Sequence, residues 1–173
     1  MERLVFIDET GAQTNMARRY GRAPRGERLI SKVPWGHWKT ITFVGALRSD
    51  RMTAPAVFDG PMDGDCFLAY VEQVLAPALL PGDIVVMDNL ASHKVAGIRE
   101  AIEATGAMLQ YLPPYSPDLN PIEQAIAKLK SHLRKDAPRT LETLVEAIAS
   151  ALKKFTPQEC TNFITNAGYR HQL

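Results

Sequence analysis

Cysteine is nearly absent from this chain. Its 173 residues include two cysteines, Cys66 and Cys160, which lie far apart and belong to no C-x-x-C pair. This scarcity excludes a disulfide framework and a zinc site built on thiolates. Both cysteines are therefore expected to be packing residues, because free cysteine is usually buried.

Long apolar runs and an excess of one charge are also missing. No apolar run approaches the roughly 20 residues that a membrane helix needs, and the opening segment MERLVFIDET lacks the basic start and apolar stretch of a secretion signal. We therefore expect a soluble, cytoplasmic protein with no membrane partner. The net charge is +1 and the pI is about 7.8, short of the basic balance of a self-sufficient nucleic-acid binder.

The basic residues are nevertheless concentrated in two segments. Residues 17–32 hold six arginines and lysines against one glutamate, and residues 128–139 hold five against one aspartate. Local positive patches on a neutral protein can contact phosphate groups. The alternative is an ordinary solvated surface.

Apolar periodicity predicts the secondary structure. Runs rich in β-branched residues predict five strands, at residues 3–7, 39–47, 52–58, 84–87 and 108–112. Apolar spacings of three and four residues predict five helices. Two of them begin at a capping residue: one runs from Ser92 to about residue 105, and one starts at Asn120. The other three span residues 63–75, residues 140–155 and residues 157 to about 167. Pro55 predicts an edge strand, and the Gly, Pro and Arg residues between Gly11 and Gly36 predict a long loop. The order βββ-α-β-α-β-ααα is that of one α/β domain with a mixed sheet.

Three acidic residues stand where such a domain would place a site. Asp8 and Asp88 each follow a predicted buried strand, and Glu123 lies in the first turn after the Asn120 cap. If the two strands are parallel neighbours, their ends lie about 4.8 Å apart, which suits two carboxylates that share a cation. Mg²⁺ prefers oxygen ligands, and two-metal phosphodiester chemistry uses bridging carboxylates. Each acid alone also fits a structural role, in a turn or at a helix cap.

The segments around the three acids resemble a known family. Residues 6–10 (FIDET), 86–94 (VMDNLASHK) and 111–123 (YLPPYSPDLNPIE) closely resemble the mariner-like transposase superfamily, particularly its bacterial insertion-sequence members. Each segment contains one acid of the family's triad. The 34 residues between Asp88 and Glu123 match the interval in those bacterial members.

The resemblance implies a fold and a reaction. The fold is ribonuclease-H-like, as in retroviral integrase: a mixed five-stranded sheet flanked by helices. Residues 1–173 would form a single DDE catalytic domain, in which Asp8, Asp88 and Glu123 bind two Mg²⁺ ions, with Mn²⁺ as a substitute. The implied reaction is cleavage at the ends of an insertion sequence, followed by attack of the freed 3′-hydroxyl on target DNA.

The resemblance also implies partners. They are the element ends and a target duplex, with a homodimer in the active complex on the bacterial nucleoid. Complete relatives carry a helix-turn-helix region before the first catalytic strand, and seven residues precede Asp8 here. A separate DNA-binding polypeptide is therefore one candidate partner. The candidate DNA contacts are Arg18, Arg19, Arg22, Arg25, His93, Lys94, Lys130 and Arg134.

Two other functions fit the same sequence. One is an inactive or partner-dependent remnant that binds DNA or modulates a full-length transposase. The other is a ribonuclease-H-like nuclease that cuts nucleic acid without joining it. Strand-transfer products on a target duplex would distinguish a transposase from such a nuclease.

Convergence of the three carboxylates also has a consequence for stability. Mutual repulsion among the carboxylates would destabilise the folded protein when no metal is bound. The sequence therefore predicts that Asp88→Asn raises or preserves the thermal stability of the metal-free protein. It also predicts that this substitution abolishes stabilisation by metal.

Overall fold

The computed structural model describes residues 1–18 and 20–169, and these residues form one mixed sheet with helices on both faces. The strands are β1 (Leu4–Gln13), β2 (Thr40–Leu47), β3 (Met52–Asp59), β4 (Ile84–Met87) and β5 (Met108–Tyr111). The helices are α1 (Gly64–Tyr70), α2 (Ile98–Glu103), α3 (Ile122–Asp136), α4 (Leu141–Leu152) and α5 (Pro157–Asn166). Short helical turns lie at Val71–Leu75, Ala76–Ala78, Ala91–Lys94 and Pro117–Leu119. The predicted mixed five-stranded sheet flanked by helices is thus confirmed.

The sheet has the strand order β3-β2-β1-β4-β5. β1 pairs antiparallel with β2 and parallel with β4, while β5 extends the parallel part. β3 lies at an edge, as Pro55 predicts, since proline cannot donate to a strand on both sides. Within the described ranges, no helix is both long enough and apolar enough to cross a membrane.

Side chains that alternate along β1 contribute to two separate apolar layers. Phe6 packs into a layer formed with α3, α4 and α5, and its neighbours Val5 and Ile7 pack into a layer formed with α1 and α2. This alternation follows from the two-residue period of a strand. The sheet is therefore covered on both faces, and the functional groups must lie at its edges and ends.

β1 is longer than the sequence predicts. The parallel partner β4 pairs with Leu4 to Phe6, but the antiparallel partner β2 pairs onward from Phe6 to Gln13. β2 therefore supplies backbone hydrogen bonds to the polar half of β1, which local apolarity did not indicate. Asp8 lies inside a strand, and the prediction that the strand ends before it is wrong.

Two helix starts also differ from the sequence prediction. The helix predicted from Ser92 begins at Ile98, because Ala91–Lys94 form a 3₁₀ turn and Gly97, with φ of 98°, interrupts the path. α3 begins after Pro121, and the Asn120 side chain makes no cap hydrogen bond. Thr140 and Thr156 do cap α4 and α5 through their side chains.

Candidate active site

Strand register brings Asp8 and Asp88 to the same level of the sheet. Phe6 pairs with Val86 in the parallel β1–β4 ladder. Asp8 and Asp88 each follow two residues later along the chain. The predicted neighbourhood of the two aspartates is therefore present, although Asp8 is still within β1 and Asp88 lies just beyond β4.

All three predicted acids line one cavity of about 450 Å³. Glu123 reaches it from the first turn of α3, while Asp8 and Asp88 reach it from the sheet. The opposite wall is the proline-rich loop 113–117. The structure thus brings together acids from three separate segments of the chain. Their role as metal ligands stays a prediction.

The Asp8 carboxylate is buried and held at both oxygens. The backbone N–H of Glu9 donates to Oδ1 at 2.8 Å, and Asn120 Nδ2 donates to Oδ2 at 2.9 Å. Burial, followed by the negative charges of Glu123 and Glu9, raises the pKa of Asp8 to about 7. At neutral pH this acid is therefore only about half ionised, and a nearby cation would favour its charged form.

Asn120 thus has a role that its sequence position did not reveal. It precedes a helix start and looks like a cap, yet its side chain contacts the strand carrying Asp8, 112 residues away. The Asn120 side chain is buried, and among the described residues its Oδ1 atom has no hydrogen-bond donor. A buried acceptor of this kind fits a donor supplied from outside the chain, such as a water of a hydrated cation.

Asp88 belongs to a second, tightly connected group. Burial alone would raise the pKa of Asp88. Two contacts outweigh burial and lower the pKa: the side chain of His93, and the Leu90 N–H, which donates to Oδ1 at 3.1 Å. His93 Nδ1 lies 2.6 Å from Asp88 Oδ1, and His93 Nε2 lies 2.9 Å from Glu9 Oε2. Burial would lower the pKa of His93, but the two carboxylates raise it to about 9.

The prediction that His93 contacts DNA is wrong for this structure. Its side chain is fully buried, and both ring nitrogens face carboxylates of the chain. Glu9, its second partner, was not a candidate from the sequence. The only local signal for Glu9 was its position beside Asp8, and the contact spans 84 residues.

The donor set fits divalent cations, although the part of the chain that the structure describes contains no complete metal-binding cluster. In residues 1–18 and 20–169, no three acidic, histidine or cysteine side chains approach closely enough to enclose a metal ion. The three acids nevertheless offer the oxygen ligands that Mg²⁺ and Mn²⁺ prefer. The raised pKa of Asp8 reflects its burial, followed by the nearby negative charges of Glu123 and Glu9. Chemistry and charge therefore match a cation.

The predicted basic residues are distributed over a surface beside this site. Arg18, Arg22, Lys130 and Arg134 line a cavity of about 1000 Å³ between the loop after β1 and helix α3. Arg25 is exposed on the same loop. Lys94 is also exposed, and its Nζ lies 5.8 Å from the ring centroid of Tyr111.

Arg19, the remaining candidate of this group, lies outside the described residues. The two basic segments, distant in sequence, thus meet at one surface, a proximity that their separate positions did not predict.

Comparison with protein families decides the relationship of this chain to known proteins. Residues 3–145 match the family described as DDE superfamily endonuclease. The chain belongs to this family. Among curated proteins, none matches it significantly. The resemblance inferred from the three acid-bearing segments is thus confirmed for the DDE superfamily, while the bacterial insertion-sequence type stays a prediction.

Solved structures with the same fold include several of Mos1 transposase. The Mos1 strand transfer complex is 15% identical, with a TM-score of 0.75, over 96% of this chain and 52% of that one. The catalytic domain of Mos1 mariner transposase is 13% identical, with a TM-score of 0.65, over 98% of this chain and 85% of that one. The Mos1 paired end complex with Mg is 14% identical, with a TM-score of 0.72, over 95% and 52%.

These similarities establish the ribonuclease-H-like fold for the DDE-family chain. The identities are too low to transfer more than the fold. The chain spans about half the length of the Mos1 chains in the DNA complexes and most of the Mos1 catalytic domain.

Proposed function

We propose that this chain is the catalytic domain of a DNA transposase, which cleaves DNA strands and transfers them to a target with the help of two Mg²⁺ ions or, as a substitute, Mn²⁺. The observation that carries the proposal is the convergence of Asp8, Asp88 and Glu123 on one cavity. Membership of the DDE endonuclease family supports it. Mos1 structures in complex with Mg and with Mn support the choice of metal.

In this proposal the three acids have distinct roles. Asp8 and Asp88 hold the shared metal position, and Glu123 completes the second one. Bound ions would activate the attacking oxygen and stabilise the leaving oxygen in both in-line displacements. Glu123 lies in the first turn of α3, from which it reaches the cavity lined by the other two acids.

The rest of the site orients these acids. The Glu9 N–H and the Asn120 amide fix the Asp8 carboxylate at both oxygens. The proline-rich loop 113–117 forms a stiff wall that limits how a DNA strand can enter the cavity. Positioning of this kind is the protein's main contribution when no covalent enzyme intermediate forms.

The basic surface is proposed to bind the DNA backbone. Arg18, Arg22, Lys130 and Arg134 would contact phosphates, and the exposed Arg25, Lys94 and, outside the described residues, Arg19 would extend the contact. Lysine and arginine contacts of this kind fix the position of a duplex without reading its sequence. A Mos1 paired-end complex with a left transposon end is among the similar structures, which supports DNA as the partner.

Replacing Lys130 and Arg134 together by glutamine is expected to weaken DNA binding and to flatten its salt dependence. Each lost phosphate contact removes about 0.9 from the slope of log K against log salt, so the slope should fall by up to about 2. Fluorescence anisotropy of a labelled duplex over a salt series measures this. Lys153→Gln, an exposed lysine after α4, is the matched control and should keep the wild-type slope. An unchanged slope in the double variant would exclude this surface from DNA binding.

The proposal extends to the assembly. The long loop after β1 exposes large apolar side chains, among them Ile30 and Trp35, at 83% and 102% relative exposure. Apolar groups exposed together often mark a protein interface, which supports a homodimer in the active complex. We further propose that residues 1–173 act as a single catalytic domain. A helix-turn-helix region on a separate polypeptide would recognise the element ends. The assembly would work on the bacterial nucleoid.

Cleavage and joining can be tested together. The chain is incubated with Mg²⁺, a supercoiled plasmid and a labelled duplex that ends in a free 3′-hydroxyl. Label transferred to the plasmid, together with nicked plasmid, is the expected result. Nicks without label transfer would identify a nuclease that does not join strands. Neither product, with metal still bound, would favour the partner-dependent remnant.

A further inference from the structure

His93 is a fully buried histidine that contacts two carboxylates at once. Burying such charged groups away from water opposes folding. The His93 Nδ1 atom lies 2.6 Å from Asp88 Oδ1 in an ion-pair contact that lacks hydrogen-bond geometry, and its Nε2 atom is hydrogen-bonded to Glu9 Oε2 at 2.9 Å. The side chain has no exposed surface. A histidine in this position cannot contact DNA or a solvent proton directly, so its effect must pass through its two partners.

Several contacts fix the His93 ring in this orientation. The Phe67 ring lies against it, with centroids 4.2 Å apart and an interplanar angle of 33°. The Tyr111 hydroxyl donates to the His93 carbonyl oxygen at 2.8 Å, and the His93 N–H donates to the Leu90 carbonyl at 3.2 Å. Packing and backbone contacts therefore hold both ring nitrogens toward the carboxylates.

The arrangement also leaves the Asp88 carboxylate asymmetric. Oδ1 receives the Leu90 N–H at 3.1 Å and faces His93 Nδ1. Within residues 1–18 and 20–169, no hydrogen bond or ion pair engages Oδ2. One oxygen is thus committed to the protein, and the other remains for an external ligand in the cavity that Asp88 lines.

From this geometry we infer that His93 is a positioning residue for the proposed active site: it fixes the Asp88 carboxylate so that Oδ2 is presented to a divalent cation, and Glu9 fixes His93 from the opposite side. The inference rests on the proposed function, because Asp88 is a metal ligand only there. Groups that orient a metal-binding carboxylate contribute to metal affinity even though they do not touch the metal.

Two substitutions at position 93 separate the two ring contacts. In His93→Asn the amide N–H₂ takes the place of Nδ1, so a polar group beside Asp88 Oδ1 is kept and the hydrogen bond to Glu9 is lost. In His93→Gln the amide takes the place of Nε2, so the hydrogen bond to Glu9 is kept and the contact with Asp88 is lost. The pair therefore tests which contact matters for the metal.

Mn²⁺ binding measured by titration calorimetry is the readout, with the unfolding temperature of each metal-free variant recorded beside it. His93→Gln is expected to weaken Mn²⁺ binding by about 10- to 100-fold, and His93→Asn to stay close to the wild type. His37→Asn, which removes an exposed histidine from the loop after β1, should bind Mn²⁺ as the wild type does. Equal affinity in wild type and His93→Gln would overturn the inference, and so would equal weakening in both His93 variants.

Glu9 provides the second test if either His93 variant does not fold. Glu9→Gln keeps an acceptor for Nε2 and should preserve Mn²⁺ affinity, whereas Glu9→Leu removes it and should weaken binding. Equal affinity of these two variants would overturn the inference. Wild-type protein that binds no Mn²⁺ would overturn the proposed function as well, whereas wild-type binding that His93→Gln leaves intact would overturn the positioning role alone.

Discussion

Asp8→Asn is expected to make the metal-free protein more stable at pH 8 and to change its stability little near pH 4. The pKa of Asp8 is raised to about 7 by burial and by the charges of Glu123 and Glu9, whereas the ordinary value is 3.8. The native state therefore binds the Asp8 proton more tightly than the unfolded state does. The resulting penalty on the native state grows as pH rises from about 4 to 7 and is constant above that range.

The size of this effect follows from the same two values. Their difference corresponds to about 4 kcal/mol, at 1.36 kcal/mol for each pH unit, and to an increase of up to roughly 10 °C in unfolding temperature for a chain of this size. Thermal unfolding in a chelator, over a pH series, measures it. Asp118→Asn, an exposed acid in the nearby 3₁₀ turn, is the control and should show no such pH dependence. Destabilisation by Asp8→Asn at pH 8 would contradict the strained carboxylate described above.

This expectation replaces the one drawn from the sequence, which assigned the stabilising substitution to Asp88. The contact with His93 keeps the pKa of Asp88 below its ordinary value, so its charged form is favoured in the native state. Asp88→Asn would leave the buried His93 with one carboxylate fewer. It should therefore destabilise the metal-free protein.

Asp83→Asn is expected to lower the free energy of unfolding by about 3–5 kcal/mol, the usual result of removing one partner from a buried ion pair. Arg48 contacts both oxygens of Asp83, at 2.5 and 3.2 Å, and both side chains are almost completely buried. The Leu80 N–H also donates to Asp83, at 2.8 Å. The substitution would leave the Arg48 guanidinium buried without its counter-charge.

Thermal unfolding at neutral pH should show a decrease of roughly 10 °C for Asp83→Asn. Asp50→Asn is the matched control, because Asp50 pairs with Arg51 at the surface, where such pairs contribute about 0–1 kcal/mol. Burial opposes ionisation of Asp83, yet Arg48 keeps its pKa below the ordinary value, so this stability is present above about pH 4 and is lost as pH falls further. Equal unfolding temperatures for the two variants would show that the buried pair is not needed for the fold.

The elements and acids that the sequence predicted share one property: their signals are local. Apolar runs of four or five residues mark β4 and β5, and the three acids lie within short segments typical of the family. The threonine side chains that cap α4 and α5 likewise make hydrogen bonds only three positions along the chain. Each of these features can be found without knowing what the chain packs against.

The features that the sequence did not predict depend on partners far along the chain. Arg48 and Asp83 each lie next to a predicted strand, and no local pattern indicates that the fold pairs them across 35 positions. Asn120 has the position of a helix cap, but a more distant acceptor, Asp8, takes its side-chain amide. His93 has the sequence position of an exposed residue at a helix start until Glu9 and Phe67 are placed around it. In all of these cases tertiary contacts override a local preference, as buried polar groups require partners wherever these lie.

Metal-dependent nicking of supercoiled plasmid tests the central claim most directly, with the wild type compared with Asp8→Asn, Asp88→Asn and Glu123→Gln. We expect nicking by the wild type in Mg²⁺ or Mn²⁺, none in a chelator, and a loss of roughly three orders of magnitude in each variant, because bound metal contributes several kcal/mol to such reactions. Wild-type nicking that persists in all three variants would show that the acids lining this cavity are not its catalytic centre.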